Sequence, residues 1–229
     1  MNAIKHVFFD LDRTLWDLER NSQVVLEHLI ETYGLEGKCK ATSNEIIKTY
    51  KQVNKALWQQ YNSKKIDKNQ LRSSRFTKTL ASFDYHFVGF GTYLEKEFME
   101  KSPYQSNVID GAFQILDYLK DKYSLYILTN GFSDVQNLKL KNSNLSGYFK
   151  QVFISEEIGF HKPDPQLFEY VMEKTGAKKE ECLMVGDDEN CDILGAIHSG
   201  WKAIRIDHEE NKSLPYPCIQ NLAQLKDII

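Results

Sequence analysis

The sequence predicts an α/β protein in which a doubly wound parallel sheet is interrupted by an inserted helical segment. Three observations lead to this prediction. Short apolar runs of strand length recur along the chain, helical patterns separate most of them, and the first run is followed by a long segment with helical spacing alone.

Five apolar runs are interpreted as strands. Most are apolar at successive positions rather than at alternating ones, which is typical of strands that are buried on both faces of a parallel sheet. These runs lie at residues 6–10, 125–130, 152–155, 182–187 and 202–207.

Helical patterns fill the intervals between the later runs. Leu116 and Leu119 lie on one face of a predicted helix, and Phe168, Val171 and Met172 share a face of another. Alternation of strands and helices favours a sheet with helices on both faces and right-handed connections.

The segment after the first run breaks this alternation. Ile46, Tyr50 and Leu57 follow helical spacing there, and no buried strand is evident before Ser124. We therefore predict roughly four inserted helices, because the apolar period stays helical throughout. The predicted domains are residues 1–15 with 101–229 for the sheet and residues 16–100 for the helical insert.

Composition excludes several classes of function. The formal net charge of −3 lacks the basic excess of a nucleic-acid-binding surface. No segment approaches the ~20 apolar residues of a membrane span, no secretory leader is evident, and the cysteines form no C-x-x-C pair. We expect a cytoplasmic protein that binds neither nucleic acid polymers nor membranes. A monomer or a homodimer is the expected assembly.

Polar side chains stand where the predicted strands end. Because ligands of open parallel sheets bind at the carboxyl ends of the strands, we expect these side chains to meet at one edge. They are Asp10 and Asp12 after the first run, Thr129 and Asn130 at the end of the second, Lys162 after the third and Asp187 after the fourth.

These residue types suit phosphoryl chemistry. Mg²⁺ prefers oxygen ligands, which Asp10 and Asp187 could supply from two strands. An aspartate can attack phosphorus, and a second carboxylate such as Asp12 could transfer protons, which accelerates reactions by about 10²–10⁴-fold. Thr129 could donate to phosphoryl oxygens, and Lys162 could neutralise their charge.

Four motifs, in this order, resemble those of the haloacid dehalogenase superfamily. The spacing is similar to the branch whose helical cap follows the first motif, so the resemblance implies a Rossmann-like core with an inserted cap. The stretch F-F-D-L-D-x-T-L-W-D, with Asn21-Ser22 and T-N-G-F after it, is most similar to the nucleotidase-like phosphatases. The motifs are D-L-D-R-T-L at 10–15, L-T-N-G at 128–131, K-P-D-P at 162–165 and G-D-D-E-N-C-D at 186–192.

The resemblance implies catalytic and phosphate-binding roles at the matching positions. Asp10 would be the nucleophile, and Asp12 would be the general acid and base. Thr129 and Asn130 would bind the phosphoryl group, and Lys162 would hold the nucleophile and the phosphate together.

The resemblance also implies a magnesium site. Asp10, the backbone carbonyl of Asp12, and Asp187 would bind Mg²⁺, and Asp192 would support the site without touching the ion. Arg13 departs from the small, acidic or histidine residue that is common at its position, and its role stays open.

Several other residues receive no site role from the sequence. Asp188 stands where such families often carry a small polar residue, and its role is left open. In the insert, Trp58 is interpreted as packing and Arg75 as a solvated side chain, since aromatic residues at helical spacing are usually core.

The function that the resemblance implies is a Mg²⁺-dependent phosphomonoesterase. It would act through an aspartyl-phosphate intermediate on a small phosphate ester, with a nucleoside 5′-monophosphate as the leading substrate. A phosphomutase uses much the same residues and is one alternative. A 2-haloacid dehalogenase is another, although Asp12 and Asp187 argue against it, since attack on carbon needs neither Mg²⁺ nor a second aspartate. A non-enzymatic phospho-accepting switch is the third, which the insert argues against.

Overall fold

The computed structural model describes residues 4–207 and 214–229. The chain divides into two compact units, a sheet unit of Met1–Leu18 with Ser106–Ile229 and a helical unit of Glu19–Gln105. The sequence placed the domain boundaries after residues 15 and 100, and these boundaries stay predictions.

The sheet unit is built on a six-stranded sheet in which every neighbouring pair of strands is parallel. The predicted fold class is therefore confirmed, and all five predicted strands are present. No apolar run predicted the sixth strand, which has only two residues. The spatial order is β3-β2-β1-β4-β5-β6. The strands are β1 (His6–Phe9), β2 (Ser124–Thr129), β3 (Gln151–Ile154), β4 (Cys182–Gly186), β5 (Lys202–Ile206) and β6 (Cys218–Ile219).

Eleven α-helices are present in the described residues, and the first five fall between Leu18 and Lys101. The sequence predicted about four there, because the five-residue α2 is too short to show a period. The helices are α1 (Leu18–Thr32), α2 (Leu35–Cys39), α3 (Ser43–Asn62), α4 (Lys68–Ala81), α5 (Phe90–Lys101), α6 (Ala112–Leu119), α7 (Ser133–Asn142), α8 (Ser155–Ile158), α9 (Pro165–Thr175), α10 (Gly195–His198) and α11 (Leu225–Ile228).

Both faces of the sheet are covered by apolar side chains. Phe9 of β1 packs in a cluster with Leu116 of α6, whereas Phe8 points to the opposite face and packs with Phe168 of α9. All four side chains are fully buried. Burial of one such side chain contributes about 1.5–3 kcal/mol, so the two-sided core fixes the strand register that positions the residues beyond each strand.

The helical unit has its own core and well-defined helix starts. Thr42 caps α3 in a capping box with Glu45: the Glu45 backbone N–H donates to Thr42 Oγ1 (3.3 Å), and the Thr42 backbone N–H donates to Glu45 Oε2 (2.8 Å). Tyr50 of α3 packs against Phe76 of α4 and Phe98 of α5, with ring centroids 4.8 and 5.6 Å away. Three helices thus share one aromatic core.

Two further expectations concern membranes and thiols. Among residues 4–207 and 214–229, no helix is both long and apolar enough to cross a bilayer. The four cysteines are all free thiols, and three of them are buried.

A buried ion pair lies inside the helical unit. Arg75 of α4 and Glu95 of α5 are 6% and 5% exposed, so Arg75 is not the solvated side chain that the sequence suggested. Arg75 Nε donates to Glu95 Oε2 at 3.1 Å, and Arg75 Nη2 also contacts the other carboxylate oxygen. The guanidinium carbon lies 5.5 Å from the centroid of the Phe98 ring. This ion pair links α4 to α5 within a largely apolar contact.

Glu95→Ala is expected to destabilise the protein by about 3–5 kcal/mol, because it leaves the Arg75 guanidinium buried without its counter-ion. Urea unfolding measures this change. The matched control is Glu100→Ala on the same helix, which removes an exposed ion pair with Lys96 and should change the free energy of unfolding by less than ~0.5 kcal/mol. Equal effects of the two substitutions would contradict the structural role of the pair.

Candidate active site

The candidate site lies at the point where the strand order of the sheet reverses. β1 sits between β2 and β4, and the chain continues from β1 to one side and later returns to the other. Phe9 aligns with Ile127 and with Val185 in the two neighbouring strands. Asp10 therefore emerges next to the ends of β2 and β4, at a switch point of the kind where open parallel sheets bind ligands.

Lys162 occupies the centre of the site. Its Nζ donates to Asp10 Oδ1 (2.7 Å) and to the carbonyl of Leu128 (2.7 Å), and it lies 2.6 Å from Asp192 Oδ1. The side chain is 1% exposed. Burial alone would lower the pKa of Lys162, but the carboxylates of Asp10 and Asp192 outweigh it and raise the pKa above its usual range. Two hydrogen bonds and one ion pair therefore fix the ammonium in position.

Three carboxylates gather around this ammonium. Asp10, Asp187 and Asp192 each offer an oxygen, and these oxygens lie within 4.8 Å of one another. Burial, opposed by Lys162 but reinforced by the other acids, raises the pKa of Asp10 to about 7. Burial and the charges of Asp10 and Asp192 also raise the pKa of Asp187 well above its usual range. A single ammonium cannot balance the charge of all three carboxylates when they are ionised, so a further cation would stabilise their ionised forms.

The residues present fit a magnesium ion. Mg²⁺ prefers oxygen ligands and is usually bound by one or two carboxylates, with water and substrate oxygens completing its coordination. Asp10 and Asp187 would supply those carboxylates, because both oxygens of Asp192 already have partners, Lys162 at Oδ1 and the Asp188 backbone N–H at Oδ2. The predicted ligand set of Asp10, the Asp12 carbonyl and Asp187 stays a prediction, as does the supporting role of Asp192.

Asp192 is held in place by the turn that follows β4. The Asp188 backbone N–H donates to Asp192 Oδ2 at 3.1 Å, while Asp188 Oδ1 accepts from the backbone N–H groups of Asn190 (2.9 Å) and Cys191 (2.8 Å). Asp188 thus caps the π-helical turn that carries Asp192, which answers a question the sequence left open. Gly186 is required here, since a Cβ at that position would lie 2.2 Å from Asp192 Oδ2.

Thr129 and Asn130 reach the same edge but make different contacts. Thr129 Oγ1 accepts from the Gly131 backbone N–H at 3.0 Å and from Gln136 Nε2 at 2.7 Å, so its own hydroxyl proton is left for donation. Asn130 donates from Nδ2 to the Lys162 carbonyl and accepts at Oδ1 from the Lys162 backbone N–H, both at 2.9 Å. Its side chain therefore holds the backbone of Lys162, and the phosphate contact predicted for it stays a prediction.

Asp12 is bound by two residues that the sequence analysis missed. Lys139 Nζ donates to Asp12 Oδ1 (2.7 Å) and Oδ2 (3.0 Å), and Gln136 Nε2 donates to Oδ2 (3.1 Å). Both residues lie on α7, three positions apart, just after the T-N-G motif. The sequence does contain one indication of them: two long polar side chains at helical spacing, on the helix that begins just after the T-N-G motif.

Arg13 is exposed and adopts a left-handed backbone conformation, with φ of 66°. Its charge opposes burial and the neighbouring acids, which together still raise the pKa of Asp187 well above its usual range. Arg13 therefore acts on the acidic cluster through its charge. Trp58 and Arg75 belong to the helical unit.

Comparison with known proteins gives consistent matches over most of the chain. A family model described as hydrolase, haloacid dehalogenase-like hydrolase, matches residues 4–200. The pyrimidine 5′-nucleotidase PynA of Streptococcus pneumoniae is 34% identical over 217 residues, which cover 93% of this chain and 89% of that protein. The pyrimidine 5′-nucleotidase YjjG of Escherichia coli is 32% identical over 195 residues, covering 85% and 82%.

A solved structure is similar over nearly the full length. It is the HAD-hydrolase YfnB of Bacillus subtilis, bound to magnesium, with a TM-score of 0.87 and 28% sequence identity, covering 99% of this chain and 98% of that one. That protein therefore shares the fold of the chain described above.

Mg²⁺ should raise the melting temperature more at pH 8 than at pH 5.5. A carboxyl group whose pKa rises from 3.8 to about 7 on folding favours the folded state less as pH increases through that interval. Mg²⁺ replaces the proton, so its contribution is larger where Asp10 is already ionised. Thermal melting with and without Mg²⁺ at both pH values measures the difference. Asp187→Asn is the control and should reduce the Mg²⁺ effect; equal Mg²⁺ effects at both pH values would contradict the assignment.

Proposed function

The chain belongs to the haloacid dehalogenase-like hydrolase family, as its four motifs predicted, and we propose that it is a magnesium-dependent phosphomonoesterase acting through phospho-Asp10. The single observation that supports this most strongly is the buried Asp10 carboxylate, 2.7 Å from the ammonium of Lys162 and grouped with Asp187 and Asp192 at the switch point of the sheet. Such a cluster offers a nucleophile, a fixed positive charge and oxygen ligands for a cation in one place.

The first step transfers the phosphoryl group to the protein. A carboxylate oxygen of Asp10 forms a bond to phosphorus while the bond from phosphorus to the ester oxygen breaks. The electron pair of that bond goes to the ester oxygen, which takes a proton from Asp12 and leaves as an alcohol. Lys162 and the Thr129 hydroxyl stabilise the charge on the phosphoryl oxygens.

The second step releases phosphate. A water molecule attacks phosphorus and gives its proton to the Asp12 carboxylate, and the bond from phosphorus to Asp10 breaks with its electron pair returning to that carboxylate. The products are inorganic phosphate and the regenerated enzyme. Mg²⁺, when bound to Asp10 and Asp187, would neutralise charge on the phosphoryl oxygens.

The proposed substrate is a nucleoside 5′-monophosphate. Support comes from PynA and YjjG, both pyrimidine 5′-nucleotidases, at 34% and 32% identity. The formal net charge of −3 shows no basic excess of the kind that binds a nucleic acid polymer, and it is consistent with a small-molecule substrate. The four free thiols support the proposed cytoplasmic location, where thiols stay reduced.

Phosphate release from a panel of esters tests the proposal. The panel contains pyrimidine and purine nucleoside monophosphates, sugar phosphates and 4-nitrophenyl phosphate, each with Mg²⁺ and with excess EDTA. We expect Mg²⁺-dependent release that is fastest from a nucleoside monophosphate, and none from the Asp10→Asn variant, which keeps the shape of the side chain but removes its charge. Folded wild-type protein that releases no phosphate from any ester would contradict the proposed activity. Release that persists undiminished in EDTA would contradict the metal requirement.

A further inference from the structure

We propose that Lys139 and Gln136 are positioning residues. They hold the Asp12 carboxyl group so that Oδ1 is the atom that gives a proton to the leaving ester oxygen. The inference rests on the proposed function and adds two residues to it that belong to none of the four motifs. Neither residue would contact the substrate, and both would act through Asp12.

Lys139 donates hydrogen bonds to both carboxylate oxygens of Asp12. It is 7% exposed, and its ammonium is 2.7 and 3.0 Å from the two Asp12 oxygens. The same ammonium lies 4.5 Å from the centroid of the Trp16 ring, which is fully buried and covers it with an aromatic face. A largely buried ammonium requires a counter-ion, and in the sheet unit Asp12 is the carboxylate that contacts it.

Gln136 connects the same carboxylate to the phosphate side of the site. Its Nε2 donates to Asp12 Oδ2 at 3.1 Å and to Thr129 Oγ1 at 2.7 Å. The nitrogen must face Asp12, because an ionised carboxylate only accepts hydrogen bonds. Gly131 makes this contact possible: a Cβ there would lie 2.0 Å from Gln136 Nε2.

The three contacts leave one position on Asp12 for a proton. A carboxylate has about four lone-pair positions, two on each oxygen. Oδ2 accepts from both Lys139 and Gln136, whereas Oδ1 accepts from Lys139 alone. The remaining position is on Oδ1, so Asp12 could carry a proton there without breaking any of its contacts. In the first step this proton passes to the leaving ester oxygen, and in the second step the same atom accepts a proton from water.

The choice of substrate separates positioning of Asp12 from a general effect on the fold. An alkyl ester, such as a nucleoside monophosphate, leaves as a strongly basic alkoxide and needs the proton of Asp12. 4-Nitrophenyl phosphate leaves as a stabilised phenolate and needs that proton much less. The ratio kcat/KM reports only the steps up to the departure of the leaving alcohol or phenolate. Hydrolysis of phospho-Asp10 is common to both substrates, and it therefore does not affect this ratio.

The experiment compares Lys139→Met, Lys139→Arg and Lys141→Met in the full-length enzyme with Mg²⁺. Methionine keeps the unbranched, apolar part of the side chain and removes its charge. Arginine keeps the charge and the donors. Lys141 is the matched control, since it lies on the same helix and is exposed. Each variant is assayed with the best alkyl ester of the panel and with 4-nitrophenyl phosphate, and thermal melting checks that it is folded.

For Lys139→Met we expect kcat/KM to fall by about 10²-fold with the alkyl ester and by less than ~5-fold with 4-nitrophenyl phosphate, within the range of general acid catalysis. Lys139→Arg should restore most of the loss, and Lys141→Met should match wild type. If the two substrates change by the same factor, to within about five-fold, Lys139 does not position the proton donor and the inference is wrong.

Gln136→Leu provides a second test if Lys139→Met does not fold. It removes one donor to Asp12 Oδ2 without introducing a charge, and an unequal loss on the two substrates is again the expected result. An equal loss would overturn the inference. Wild-type inactivity on both substrates is a separate outcome, because it contradicts the proposed phosphatase activity before any variant is compared.

Discussion

The contact between the buried Lys162 ammonium and the carboxylates of Asp10 and Asp192 is the interaction on which the site depends. Without it, two carboxylates would lie together away from water, and the cost of burying unpaired charges reaches several kcal/mol for each ion. With it, the Asp10 carboxylate is held in a fixed position beside the ends of β2 and β4. Lys162 is itself held in place by Asn130, whose side chain binds its backbone, and by the carbonyl of Leu128, which accepts from its ammonium.

The sheet makes this contact possible. Parallel strands bring residues that are far apart in the chain to one edge, and the switch point between β1 and β4 leaves an opening there. Two glycines then allow polar groups to approach more closely than any side chain would permit. Gly186 makes room for Asp192, and Gly131 makes room for Gln136. The site thus results from strand order, one buried cation and two positions that lack a Cβ.

The strands could be predicted from the sequence because burial on both faces produces continuous apolar runs, and the family could be predicted because its motifs follow one another in a fixed order. Lys139 and Gln136 could not. They contact a residue 127 and 124 positions away, and a buried polar side chain with a distant partner is indistinguishable in sequence from a solvated one. Arg75 was misinterpreted for the same reason. β6 was missed because two residues are too few to form a pattern.

Trapping the phosphoryl group on Asp10 tests the central claim most directly. The enzyme is mixed with a radiolabelled ester and Mg²⁺, quenched in acid within milliseconds, reduced with borohydride and analysed by peptide mass spectrometry. The account predicts a transient acyl phosphate whose reduction product lies at Asp10 and which is absent from Asp10→Asn. Phosphate release in a single turnover with no phosphoprotein at any quench time, or with the phosphoryl group on another residue, would contradict it.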